Sequence, residues 1–360
     1  MKIRFIALGV AGLVAIATVG AFAFQRQIGE AMFLRAVEEN VGKDRAAELP
    51  DGLHVFVCGS GSPMPDPLRA GPCLGVVAGR HVIVVDAGSG GPRRLARMGF
   101  PVGRIEKVYL THLHSDHIDS LGELMLQAWV GGSRGQSLPI SGPQGVEEVV
   151  AGFNAAYRID STYRTAHHGA NVANPAGFGG TAEVIPAPSD LSKSAVIHDQ
   201  DGVRITVIAV DHAPVAPAFG YRIDYKGRSV VISGDTTYSD ELVAAAMDVD
   251  VLMHEALQPV MVAQMRDAAA AKGQPNIAKV MGDILDYHAS PADAARAASA
   301  ANAGALVLYH IVPPLPSSLL DAAFLGDAAS YYKGPIRVAE DGLLISLPAG
   351  GVAINQSVIR

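Results

Sequence analysis

The segment Thr111-His112-Leu113-His114-Ser115-Asp116-His117 constrains this chain more than any other, because it puts four metal-ligand side chains into six consecutive residues. It follows directly on the apolar run Val108-Tyr109-Leu110. In an extended segment alternate residues face the same way, so His112 and His114 can grip one ion together. Asp116 and His117 then turn toward a second position. One buried histidine is an ordinary core residue. Three histidines and an aspartate packed this tightly are costly to desolvate without a cation. Imidazole and carboxylate donors suit zinc, with iron or manganese as alternatives.

The same arrangement recurs further along. Ile205 to Val210 reads as a strand followed by His212, Val230 to Ser233 leads into Gly234-Asp235, and Leu306 to Tyr309 leads into His310. Each is a ligand-type side chain just past an apolar run. Alone each is weak, since strand ends commonly carry a polar residue. With the cluster they give seven candidates, His112, His114, Asp116, His117, His212, Asp235 and His310, enough for two Zn2+ ions sharing a bridging carboxylate and a hydroxide.

The remaining pattern is of short apolar runs broken by Gly and Pro, with 39 glycines in 360 residues. Strands come first, then strands and helices mix, which predicts an α/β chain with more than one sheet. Leu74–Val77 and His81–Val85 read as a hairpin, Leu121 to Trp129 as a helix with Ser120 and Glu123 as a capping box, and Val146 to Tyr157 as another helix. Asp160 to about Ser194 lacks periodicity and reads as a loop or lid. Val260 to Leu285 is helical with a break at Pro275. Cys58 and Cys73 sit on neighbouring predicted strands; a disulfide and two buried thiols both remain open.

Three parts are expected: 1–27 as signal peptide or membrane anchor, 28–50 as an amphipathic linker helix, and 51–360 as the hydrolase domain. The first rests on Lys2 and Arg4 ahead of the uncharged stretch Phe5–Phe24, with Ala21-Phe22-Ala23 as a cleavage signal. It predicts an exported protein on the periplasmic side with N-terminal membrane contact. A formal net charge of −7 gives no bulk attraction for nucleic acid and leaves only a local basic patch for that role.

The run Thr-His-Leu-His-Ser-Asp-His resembles the signature of the metallo-β-lactamase superfamily. Asp86-Ala87-Gly88, His212 ahead of Phe219–Ile223, Gly234-Asp235-Thr236, His254-Glu255-Ala256, His288-Ala289-Ser290 and His310 follow in the order typical of its ribonuclease Z-like and arylsulfatase branch. The resemblance implies an αβ/βα sandwich of two mixed sheets with metals at the edge between them. It implies His112, His114 and His212 on one ion, Asp116, His117 and His310 on the other, and Asp235 bridging. Asp116 and His288 are the residues it marks for catalysis, His288 as a non-ligand, and Asp86 orders the ligand loop. The implied function is a hydrolase that cleaves a phosphodiester or aryl sulfate ester through a metal-bridging hydroxide. Alternatives are a lactonase or β-lactamase acting at carbon, and an iron-dependent sulfur dioxygenase. The resemblance also suggests a homodimer.

Only 23 positions separate His212 from Asp235, too few for the long arm of tRNA-processing members. A small-molecule ester is therefore the expected substrate, with tRNA set aside. Glu255 reads equally as a support for the site or a polar strand end. His167 and His168 read as a solvated loop, Trp129 as core, and His54, His81 and His198 as structural. Asp66, Arg69 and Gly59–Gly61 are candidates to line the pocket or to form a tight turn.

Overall fold

The computed structural model describes residues 22–188 and 193–359, and the chain divides into two units, Met1–Asp44 and Arg45–Arg360. In the first, Gln25–Asn40 is a helix with no buried residue, carrying the pairs Arg26–Glu30 and Arg35–Glu39 one turn apart. The expected anchor falls on residues 1–27, of which 1–21 lie outside the described residues.

The second unit holds two mixed sheets. One runs β15 (Asn355–Val358), β14 (Leu343–Pro348), β1 (Gly52–Gly59), β2 (Cys73–Ala78), β3 (His81–Val85), β4 (Lys107–Tyr109), β5 (Leu138–Gly142) and β6 (Gly180–Val184). The other runs β13 (Ile336–Val338), β12 (Ala305–Val312), β11 (Val251–Leu257), β10 (Arg228–Ile232), β9 (Val215–Tyr225), β8 (Val203–His212) and β7 (Ser194–Gln200). Strand alternation divides the apolar residues between layers. Leu53, Val55 and Val57 of β1 join Val230, Ile232, Val307 and Tyr309 in the core between the sheets. Phe56 and Cys58 point the other way, onto Leu95, Leu121 and Leu124 of the covering helices. Val231, Leu306 and Leu308 likewise meet the alanines of the Pro291–Ala300 helix. This is the expected αβ/βα sandwich.

Cys58 and Cys73 are joined as a buried disulfide between β1 and β2. The Val146 helix runs on to His168, eleven residues beyond its expected end and into the stretch read as a lid. Only Val146 and Val150 of that helix are buried, so its second half carries no apolar period to read, and local bonds such as Arg164 to Asp160 sustain it. Ser120 makes no capping bond: its hydroxyl accepts from Gly90 N at 3.2 Å, and Glu123 pairs with Arg93 instead. The break near Pro275 falls just ahead of it, with Pro275 opening a new helix to Asp283.

Candidate metal centre

The donors meet where strands of both sheets end. β4 delivers Thr111–His117, β8 ends on His212, β10 leads through Gly234 to Asp235, and β12 carries His310. His310 is an added residue in β12. Glu255 pairs with Tyr309 and Ala256 with Ile311, so His310 is bulged out at φ 48° and aimed into the site. Gly234 has φ 62°, and a Cβ there would collide with Phe219 O, so only glycine makes the turn that presents Asp235.

Two donor groups form, each with its ligand atoms within 4.8 Å of one another: His112, His114, His212 and Asp235, and Asp116, His117 and His310. Asp235 lies between them. Its Oδ2 is 3.2 Å from His310 Nε2, 3.4 Å from His117 Nε2, 3.9 Å from His112 Nε2 and 4.0 Å from His212 Nε2. All seven expected ligands are thus brought together. Asp235, His288 and His310 form a third group just as close-set, so position alone leaves His288 free to ligate.

The supports fix which nitrogen faces inward. Asp86 accepts from Thr111 N at 2.8 Å, Thr111 Oγ1 at 2.9 Å and His117 Nδ1 at 2.9 Å, which turns His117 Nε2 to the cluster. His212 Nδ1 donates to Tyr287 O at 2.9 Å. Glu255, fully buried, accepts from His288 Nδ1 at 2.9 Å, Ala289 N at 3.1 Å and Thr236 N at 3.2 Å. It therefore holds His288 in place rather than merely ending a strand. Burial disfavours a charged His288, but Glu255 beside it outweighs that and lifts its pKa to about 9.

The residues fit a cation. His117 Nε2 and Asp235 Oδ1 are buried without a hydrogen-bond partner among the described residues. Orphaned donor atoms this dense are costly unless something binds them. Burial keeps His112 well below its ordinary range, so it offers a lone pair. Burial also opposes charge on Asp235, yet His310 and His117 hold it ionised well below the usual carboxylate range.

A cavity of about 490 Å³ opens onto the cluster. Part of its lining is polar, with His114, Asp116, Asp235, His288 and His310. The rest of its lining is largely apolar, with Met64, Ile277, Val280, Met281 and Ile284, and includes Tyr287. Sequence reasoning missed this apolar part, although the helical period around Pro275–Asp283 was visible. Asp66 and Arg69 line a separate cavity next to it. Trp129 is core, its Nε1 donating to Asn174 O, and His167 and His168 are exposed at a helix end.

Asp341, also missed, anchors the loop that forms one side of the cavity. It accepts from Ser60 N and Oγ at 3.0 Å each and from Ala70 N at 2.8 Å, while Arg94 Nε lies 3.6 Å away. Burial pushes its pKa from 3.8 up to about 6, despite those bonds. The native state therefore binds the extra proton between these values, and stability falls as pH rises from about 4 through 6. Asp341→Asn turns one acceptor into a donor facing another N–H. We expect it to cost about 1–3 kcal/mol in urea unfolding and to remove that part of the pH slope. An unchanged midpoint would contradict this role.

A family model described as the beta-lactamase superfamily domain matches residues 81–311. Ribonuclease Z of Mycobacterium bovis (strain BCG / Pasteur 1173P2) is 36% identical over 291 residues, covering 80% of this chain and 96% of the relative. Ribonuclease Z of Mycobacterium avium (strain 104) is 37% identical with the same coverage. Among solved structures, a metallo-beta-lactamase fold protein from Bacillus subtilis aligns with a TM-score of 0.58 at 20% identity, covering 82% of this chain and all of that one. The short form of human tRNase Z aligns at 0.55 and 22%, covering 82% and 99%.

Two expectations are corrected here. Setting tRNA aside rested on the short span between His212 and Asp235, which β9 and β10 fill as a plain hairpin. The chain nevertheless matches ribonuclease Z over 96% of that enzyme, so the short span does not separate the two. Export to the periplasmic side with membrane contact is corrected by the same relatives, and no helix among the described residues is long and apolar enough to cross a membrane. An apolar run with flanking positive charge is a compositional signal that different kinds of segment share.

Proposed function

The chain belongs to the metallo-β-lactamase superfamily, as a metal-dependent hydrolase with ribonuclease Z relatives, and on that premise we propose that it cleaves RNA phosphodiesters. The observation that carries this reading is the extent of the ribonuclease Z match, nearly the whole relative at 36% identity, on a chain whose seven donors converge on one cavity. His112, His114 and His212 would hold one ion, Asp116, His117 and His310 a second, and Asp235 both. Zinc is the natural occupant of such a nitrogen-rich set. When bound, the metal supplies electrophilic polarisation of the ester and activation of water.

The chain's own groups do the rest. Asp86 and the Tyr287 carbonyl lock the His117 and His212 rings, so the donors need little reorganisation. Glu255 takes the Nδ1 proton of His288 as a hydrogen bond, leaving Nε2 to stabilise or protonate the leaving oxygen. The apolar lining excludes water beside the scissile bond and offers a face for an unstacked base or ribose.

A substrate panel on metal-replete protein tests this: an RNA with a 3′ extension, bis(p-nitrophenyl) phosphate, an aryl sulfate, a lactone and a β-lactam. Cleavage of the two phosphodiesters is the expected result. Turnover confined to the lactone and β-lactam would overturn the reading, and turnover of the sulfate alone would move it from phosphorus to sulfur.

A further inference from the structure

Beside the donor cavity lies a second one of about 230 Å³, lined by Arg69, Arg93, Arg94 and Arg97. The two share one loop: Ser62–Pro65 line the first, and residues 66–70 line the second. The segment that brings Ser89 to the arginine pocket is tied to the donor cluster by backbone bonds. Gly71 N donates to Ser89 O at 2.9 Å, and Ala87 N donates to the carbonyl of His117 at 2.8 Å.

Four arginines line this pocket in a chain of net charge −7. The acids facing them are Asp66, 3.7 Å from Arg69, Asp341, 3.6 Å from Arg94, and Glu123, 2.7 Å from Arg93. Arg69 is nearly buried and donates to Ala339 O and Leu315 O, so its role is to brace the loop. Arg93 engages Glu123 through Nε, and its side chain is 78% exposed. Arg97, one turn further along the Gly91–Arg97 helix, is exposed and forms no ion pair among the described residues. Arg93 and Arg97 thus present open donor forks on one face, the geometry that suits a phosphate.

We propose that this pocket binds a backbone phosphate of the RNA strand, across the Ser62–Ala70 loop from the scissile bond, with Arg93 and Arg97 as its contacts. The proposal rests on the reading of the active site as an RNA phosphodiesterase. It answers the difficulty that net charge poses: an acidic protein holds a polyanion only through a local cationic patch. A contact of this kind reads no base and acts on binding rather than on the chemical step.

The test is fluorescence anisotropy with a fluorescein-labelled single-stranded RNA 12-mer on the zinc-loaded full chain, across a salt series. Arg93→Glu/Arg97→Glu is expected to raise Kd roughly tenfold or more at about 0.1 M salt. The slope of log K against log salt should become shallower by about 0.7, the value for one phosphate charge that is no longer neutralised. Arg93→Gln/Arg97→Gln should shift both in the same direction by less. Arg204→Glu/Lys226→Glu, which changes net charge equally at exposed side chains paired with Asp199 and Asp51, should leave both unchanged. The proposal is overturned if the Arg93/Arg97 variants bind like wild type, if the Arg204/Lys226 variant weakens binding equally, or if wild type binds no RNA. A wild type that binds RNA through these arginines but leaves bis(p-nitrophenyl) phosphate intact would sink the catalytic reading and keep this one.

Discussion

Asp235→Ala should release metal and reduce phosphodiester turnover by about three orders of magnitude or more. Asp235 is the one donor placed within 4.0 Å of His112, His117, His212 and His310 alike, so its loss strikes both donor groups at once. It is also a buried charge balanced against four imidazoles. Removing it leaves those rings facing one another with nothing between them, and His117 loses one of the three carboxylates, with Asp86 and Asp116, that lift it against burial. Losing several kcal/mol of transition-state stabilisation corresponds to this fall in rate. Metal content by atomic emission and kcat/KM on bis(p-nitrophenyl) phosphate check it together. A variant that keeps its full metal complement would show that Asp235 is not shared.

His288→Ala should behave differently: kcat down by about 10²–10⁴-fold, the range for a positioned acid or base, with metal retained. His288 stacks on His310 with ring centroids 5.5 Å apart and shares a donor group with it and Asp235, so proximity does not exclude ligation. A carboxylate on Nδ1 is also what Asp86 gives His117, so the non-ligand role rests instead on the seven other donors, which would already supply three side chains to each ion and Asp235 to both. If metal is lost along with activity, His288 is a ligand and the leaving-group role falls.

The polar half of the site was readable in the sequence because each donor lies at the end of an apolar run, and strand ends of a sandwich gather at one edge. The fold class followed from the same alternation. What escaped has physical causes. The apolar lining from Ile277, Val280 and Ile284 looks in sequence like any helix face, and only the cavity it shares with the donors sets it apart. Asp341 lies 281 residues from Ser60, and no local pattern announces that bond. Ser120 and Glu123 have capping-box spacing but were claimed by Gly90 and Arg93 from another segment. Arg93 and Arg97 lie in no sequence motif, and only the fold sets them beside the Ser62–Ala70 loop in one pocket. The short His212–Asp235 hairpin invited the exclusion of tRNA, which the ribonuclease Z relatives reverse.

These donors are expected to bind divalent metal, and phosphodiester cleavage to depend on it. Protein stripped by a chelator and titrated with Zn2+ tests that most directly, with bound metal and bis(p-nitrophenyl) phosphate turnover followed in the same samples. No turnover is expected without metal, with a rise that saturates near two ions per chain. Undiminished turnover in protein shown to be free of metal would contradict it.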